Sequence, residues 1–196
     1  MKAVASSATM IERVVPEEGS ARLAAQIGLV FFGTLILWAS AKISVPFWPV
    51  PMTLQTGAVA LLAAVYGWRL GTATVVAYLL EGALGMPVFT GSPEKGIGLL
   101  YMMGPTGGYL LGMVFQAAVV GFLAERLAAR DPIRLFGAML VGEVVLFACG
   151  LAWLGTLIGW DKPVLQLGLY PFVLGDLVKI ALAAGLASAA GRLVRR

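Results

Sequence analysis

The stretch "LFGAMLVGEVVLFACGLAWLGTLIGW", residues 135–160, carries a single charged side chain, Glu143. A helix rises about 1.5 Å per residue, so about 20 apolar residues cross the roughly 30 Å hydrocarbon core of a bilayer. Such a run is long enough to span, and the pattern recurs along the chain. Apolar segments at 22–43, 53–67, 71–88, 106–126, 134–158 and 171–191 are separated by short connections. The spacing predicts an all-α integral membrane protein of six transmembrane helices. Only 12% of residues are charged, half the share of about one quarter that a soluble domain keeps. Most of the surface therefore faces lipid. Residues 1–21 read as a polar N-terminal tail without the apolar core of a signal peptide, and 22–196 as one transmembrane domain.

The residue inventory removes whole classes of chemistry. There is no histidine, and Cys149 is the one cysteine. That excludes Ser-His-Asp and Cys-His nucleophiles, zinc sites and intrachain disulfides, and the chain is not expected to be an enzyme or to hold a cofactor or metal. "MGPTGGYLLG" superficially looks like a phosphate loop but lacks G-K-[ST]. It reads instead as a turn at Gly104-Pro105, a Thr106 N-cap for the fourth helix, and a Gly108/Gly112 pair that admits another backbone. The chain has a formal charge of +4, which reads as charge arranged around membrane spans rather than as affinity for nucleic acid.

With the N-terminus in the cytoplasm, that side holds Lys2, Arg13, Arg22, Arg69, Arg126, Arg130, Arg134, Arg192, Arg195 and Arg196, ten of the fourteen basic residues. The opposite side holds Lys42, Lys95 and Lys162, while Lys179 lies within the last span. This positive-inside bias predicts both termini cytoplasmic. The unusual chemistry then gathers on the outer face.

In "YPFVLGDLVKIAL", Pro171 suits a first helical turn, and Asp176 and Lys179 follow three apart on one helix face. They lie roughly 8 and 12 Å below Pro171. Charges at that depth pair with one another or line a polar cavity. One reading is a structural ion pair; the other is a ligand site in which Asp176 accepts N–H bonds and Lys179 donates to a carbonyl or carboxylate. Glu81, in the third span, is either a ligand group or a satisfied core carboxylate. Glu143 reads as structural, close to the cytoplasmic end of its helix.

"PFWPVPMTLQT", residues 46–56, cannot continue the preceding helix, because Pro46, Pro49 and Pro51 remove donors and block propagation. Irregular backbone at membrane depth survives where it is buried in protein or lines a cavity. The segment reads as a lid in which Phe47 and Trp48 cover an apolar ligand part while Thr53 and Gln55 offer hydrogen bonds. Tyr109 presents either a cavity ring and hydroxyl or an ordinary interfacial aromatic. On the first helix, small residues repeat at spacing four (Ala21/Ala25 and Ala24/Gly28). Such a face carries helix–helix contacts, with a partner or within the same chain.

Taken in order and spacing, "ISVPFWPVPMTLQT", "YLLEGALGMPVF", "GPTGGYLLG" and "YPFVLGDLVKIALA" resemble the BioY family, the biotin-specific substrate-binding (S) components of energy-coupling-factor (ECF) transporters. The resemblance runs from about residue 40 to 190. It implies a six-helix S-component fold in the cell membrane, and high-affinity biotin binding and uptake near the outer face. It also implies a transmembrane coupling protein and ATPase subunits as partners, with ATP used by those subunits. Asp176 and Lys179 match the family's ligand-facing pair, and Glu81 and Lys95 fall at its polar third-helix position and basic loop position. Biotin's ureido ring suits one carboxylate and one ammonium; its thioether ring and valeryl chain suit Phe47, Trp48, Phe89 and Tyr109. The alternatives are an S component for a different vitamin, a small membrane acyl- or phosphotransferase, or a purely structural subunit. The missing nucleophiles argue against the transferase, and the outer-face charges against the structural subunit.

Overall fold

The computed structural model describes residues 10–11, 15–16, 18–127 and 131–193. Lys2, Arg13, Arg130, Arg195 and Arg196, used above for the charge asymmetry, lie outside them, as does most of the expected tail. The elements are α1 (Gly19–Lys42), β1 (Ser44–Val45), β2 (Met52–Thr53), α2 (Gln55–Ala83), α3 (Gly98–Met102), α4 (Gly107–Arg126), α5 (Pro132–Ile158), α6 (Val164–Gly168) and α7 (Tyr170–Leu193). Five stretches of the described residues are long and apolar enough to cross a membrane: α1, α2, α4, α5, and α6 joined to α7.

The longest of them is not straight. Gly67, inside α2, has φ 82° and ψ 175°, a left-side conformation that a Cβ would oppose. Residues eight apart on a straight helix are about 12 Å apart along the axis, yet a Cβ at Gly71 would stand 2.9 Å from the Cα of Ala63. The chain therefore folds back at Gly67 into two arms, 55–66 and 68–83. The Glu125 carboxylate accepts from the Trp68 N–H at 2.9 Å, satisfying a donor that the start of the second arm leaves open.

The arms of α2 occupy the centre, packed on α1, α4 and α7, and α5 fills the space between α4 and α7. Gly108 and Gly112 let α4 approach the α5 backbone, with Leu146 O 2.8 Å from a Cβ built at Gly112. Asp131 caps α5 by accepting from the Ile133 N–H at 2.9 Å, with Pro132 at the first helical position. By contrast α1 lies at the periphery, turning Leu23, Ile27, Phe31 and Phe32 outward. In lipid this exposure is ordinary.

Several boundaries differ from expectation. The helix expected over 71–88 ends at Ala83, where Gly85 takes φ 94° and the Gly85 and Met86 N–H groups turn back to donate to Gly82 O and Glu81 O. Helix α1 starts at Gly19, inside the expected tail. The proline-rich segment is bracketed by a small antiparallel pair, Ser44 opposite Thr53 and Val45 opposite Met52, which a purely helical reading misses. Thr106 stands at the N-cap of α4 without a capping bond.

Candidate functional site

A partly open cavity lies at the end of the bundle that carries the β1–β2 hairpin and the 84–106 segment. Its walls come from six places. The hairpin and first turn of α2 contribute Thr53, Gln55 and Thr56; the 84–97 loop contributes Phe89 and Thr90; α3 contributes Tyr101. The first turns of α4 add Tyr109 and Met113, α5 adds Phe147, and the first turns of α7 add Phe172, Asp176 and Lys179. Six parts of the chain thus converge on one hollow, the setting in which a small-molecule ligand is commonly held.

Aromatic contacts build the apolar wall. Phe89 stacks on Tyr101 with ring centroids 4.9 Å apart and meets Tyr78 edge-on at 5.7 Å. Phe172 meets Phe47 edge-on at 5.9 Å and Phe147 at 6.4 Å. Tyr109 is buried, and its hydroxyl donates to Gly168 O at 2.7 Å, so ring and hydroxyl are both fixed. Burial pushes the Tyr101 hydroxyl above the ordinary phenol range, which keeps it neutral.

Asp176 and Lys179 supply the charge. Lys179 Nζ donates to Asp176 Oδ1 at 2.7 Å, and the Thr56 hydroxyl donates to the same oxygen at 2.8 Å. Both side chains are largely buried, at 6% and 11% exposure for the aspartate and the lysine. The two readings of this pair are therefore compatible: the residues bond each other and also face the cavity. Among the described residues Asp176 Oδ2 receives no protein donor, and Lys179 gives one of its three donors. Both retain capacity for a ligand. Gly57 makes room for this arrangement: a Cβ there would sit 3.0 Å from the Cβ of Lys179.

Behind the pair lies a buried polar chain. Gln116 Nε2 donates to Glu143 Oε1 at 2.9 Å and to Thr56 O at 3.3 Å, linking α4, α5 and α2 to the residue that holds Asp176. Glu143 is thus not near the end of its helix. It stands about 16 Å along α5 from Pro132 at the usual rise, 4% exposed, against Gln116. Its partner on α4 is set by tertiary packing and leaves no mark in the sequence of α5.

Of the residues expected at the site, Thr53, Gln55, Phe89, Tyr109, Asp176 and Lys179 line the cavity. Gln55 is tied down, donating to the Tyr78 hydroxyl at 2.9 Å, which in turn donates to Val88 O at 2.8 Å. Trp48, Glu81 and Lys95 do not line it. Trp48 is 81% exposed. Glu81 sits in the last turn of α2, half-buried, rather than mid-span, and Lys95 is exposed on the 84–97 loop. Thr56, Tyr101, Gln116 and Phe172 escaped the sequence reading. Gln116 carried a usable signal, an amide inside an otherwise apolar run, which marks a polar contact between helices.

The chain matches the model of the BioY family over residues 10–196. The chain belongs to the BioY family. A curated relative named biotin transporter BioY, from Thermotoga maritima, is 38% identical over 77% of this chain and 86% of its own length. The probable biotin transporter BioY of Pyrococcus horikoshii is 34% identical over 82% of this chain and 92% of its own. A crystal structure described as the S-component for biotin from an ECF-type ABC transporter superposes with a TM-score of 0.77 at 23% identity, covering 91% of this chain and 95% of that one. At that identity the likeness establishes a shared fold. Within this BioY-family chain, the quoted motifs map onto cavity-forming elements: the hairpin and the start of α2, the 84–97 loop, the start of α4 and the start of α7.

Proposed function

We propose that this chain binds biotin with high affinity and takes part in its uptake across the cytoplasmic membrane, as the S component of an ECF-type transporter. The observation that carries this reading is the Asp176–Lys179 pair, nearly buried yet facing an aromatic-walled cavity. A ureido ring presents two N–H donors and one carbonyl. Asp176 Oδ2 accepts from the N–H groups and Lys179 donates to the carbonyl, while the thioether ring and valeryl chain lie against Phe89, Tyr109, Phe147 and Phe172. Two relatives named as biotin transporters support the choice of vitamin.

The same reading covers the wider assembly. Counting the two arms of α2 separately gives six membrane crossings and so puts both termini on one side, which the distribution of basic residues makes the cytoplasmic one. The cavity then faces outward. ATP is used by partner subunits, reached through a transmembrane coupling protein that docks on α1. Among the described residues Ala21 is exposed, Ala25 is half-buried and a Cβ at Gly28 would meet nothing within 4 Å, so most of this small-residue face is left uncovered by them.

Calorimetric titration of the purified chain in detergent with a panel of vitamins and ATP tests the proposal. Tight binding of biotin and no heat from ATP are expected; preference for another vitamin would overturn it. A reporter active only outside the cell, fused after Arg196, is expected to stay silent, and activity from it would reverse the orientation.

A further inference from the structure

The last residue of α1, Lys42, is absent from the cavity wall and enters the sequence reading only as an outer-face charge. A lysine in a last helical turn ordinarily serves its own helix terminus or points to water. Here the ammonium reaches far along the chain. Lys42 Nζ donates to Pro87 O at 2.8 Å, Phe89 O at 3.0 Å and Ser92 O at 3.1 Å. An ammonium has three donors, and all three go to one loop. No carboxylate lies within ion-pair distance of Lys42 among the described residues.

That loop, 84–97, has no regular structure before α3, yet it brings Phe89 and Thr90 to the cavity. Irregular backbone in such a place needs partners for its carbonyls. The Tyr78 hydroxyl serves Val88 O, and the Ser92 hydroxyl serves Phe89 O at 2.6 Å. The Thr90 hydroxyl donates back to Ala41 O at 2.9 Å, satisfying one of the carbonyls that the end of α1 leaves open. Helix end and loop therefore hold each other in both directions, and the charged half of the arrangement is Lys42. Charge-assisted bonds are stronger than neutral ones, so this side chain is the strongest of the polar ties that keep the loop seated.

We propose that Lys42 is a positioning residue for ligand retention: its ammonium latches the 84–97 loop, and so the Phe89–Thr90 wall, over the cavity. The proposal deepens the biotin reading and depends on it for the ligand. Breaking the latch leaves the helices intact but lets the loop open, so the effect falls on ligand release and on access to the loop rather than on the bundle. The exposed Lys95 in the same loop provides a built-in probe, since trypsin cleaves after it.

The test uses the full chain in detergent, comparing the parent with Lys42→Met and Lys42→Arg. Stopped-flow release of biotin and the rate of tryptic cleavage after Lys95 are measured, with cleavage after Arg126 and the unfolding temperature as controls. Lys42→Met is expected to release biotin about tenfold faster or more, the effect of about 1.4 kcal/mol. It is also expected to be cut after Lys95 faster by a similar factor, with the controls unchanged. Lys42→Arg, which keeps the charge, is expected to restore both. Parent-like release and cleavage in Lys42→Met would overturn the proposal. So would equal acceleration at every tryptic site with a lowered unfolding temperature, or an arginine variant that behaves like the methionine one. If the parent binds no biotin, the functional reading fails, while the cleavage rates still decide whether Lys42 holds the loop.

Discussion

Replacing Asp176 by asparagine isolates the charge at the centre of the site with almost no change of shape. In the parent, Asp176 Oδ1 holds the Lys179 ammonium at 2.7 Å and the Thr56 hydroxyl at 2.8 Å. Asp176→Asn keeps an acceptor for Thr56 but leaves the Lys179 charge, 11% exposed, without its counter-charge. Breaking a buried pair by removing one partner costs about 3–5 kcal/mol. How that loss divides decides the role of the pair. A purely structural pair places all of it in folding, and biotin affinity is untouched. A pair that also contacts the ligand loses a charged hydrogen bond in the complex as well, worth about 1.5–3 kcal/mol, or a factor of about 10 to 150 in Kd. Titration calorimetry and thermal unfolding of the same detergent preparations separate the two. We expect Kd to rise by at least tenfold while the variant still purifies as a folded chain. An asparagine variant with lowered unfolding temperature and parental Kd would refute the ligand role.

Three further outcomes follow from the same geometry. Gln116→Leu strips Glu143 Oε1 and Thr56 O of their shared donor and should lower stability by about 1–3 kcal/mol, read as a lower unfolding temperature. Adding Glu143→Leu should recover part of it, because removing both partners is cheaper than removing one, and no recovery would mean the two act separately. Trp48→Ala should leave the unliganded unfolding temperature unchanged, since the ring is 81% exposed. It should speed biotin release by tens- to a hundredfold, because burying such a ring under ligand is worth about 2–3 kcal/mol; unchanged release in stopped flow would make the segment a passive connector. Ala25→Trp should abolish co-purification with the coupling protein and ATP-driven uptake yet spare biotin binding, by holding the partner's backbone away; loss of binding would mean this face packs internally.

What the sequence determined by itself are the features that depend on a few neighbouring residues. Apolar runs of spanning length are visible because burial in lipid is a per-residue property summed over one segment. The break between 67 and 71 is visible because Gly67 and Arg69 interrupt such a run, and the structure turns at Gly67. The Asp176–Lys179 pair is visible because residues three apart share a helix face whatever surrounds them, and their ion pair is local to α7. What only the tertiary structure decided is which residues of different helices meet. Thr56, Gln116 and Glu143 come from α2, α4 and α5 and share one hydrogen-bonded chain behind Asp176. Glu81 and Lys95, equally conspicuous as charges, stay off the cavity wall. In water a polar face and an apolar face would orient each helix and point to its partners. In a bilayer the lipid is as apolar as the protein core, so hydrophobic pattern says little about rotation. Close packing and interhelical hydrogen bonds set it instead, and those depend on all the helices at once.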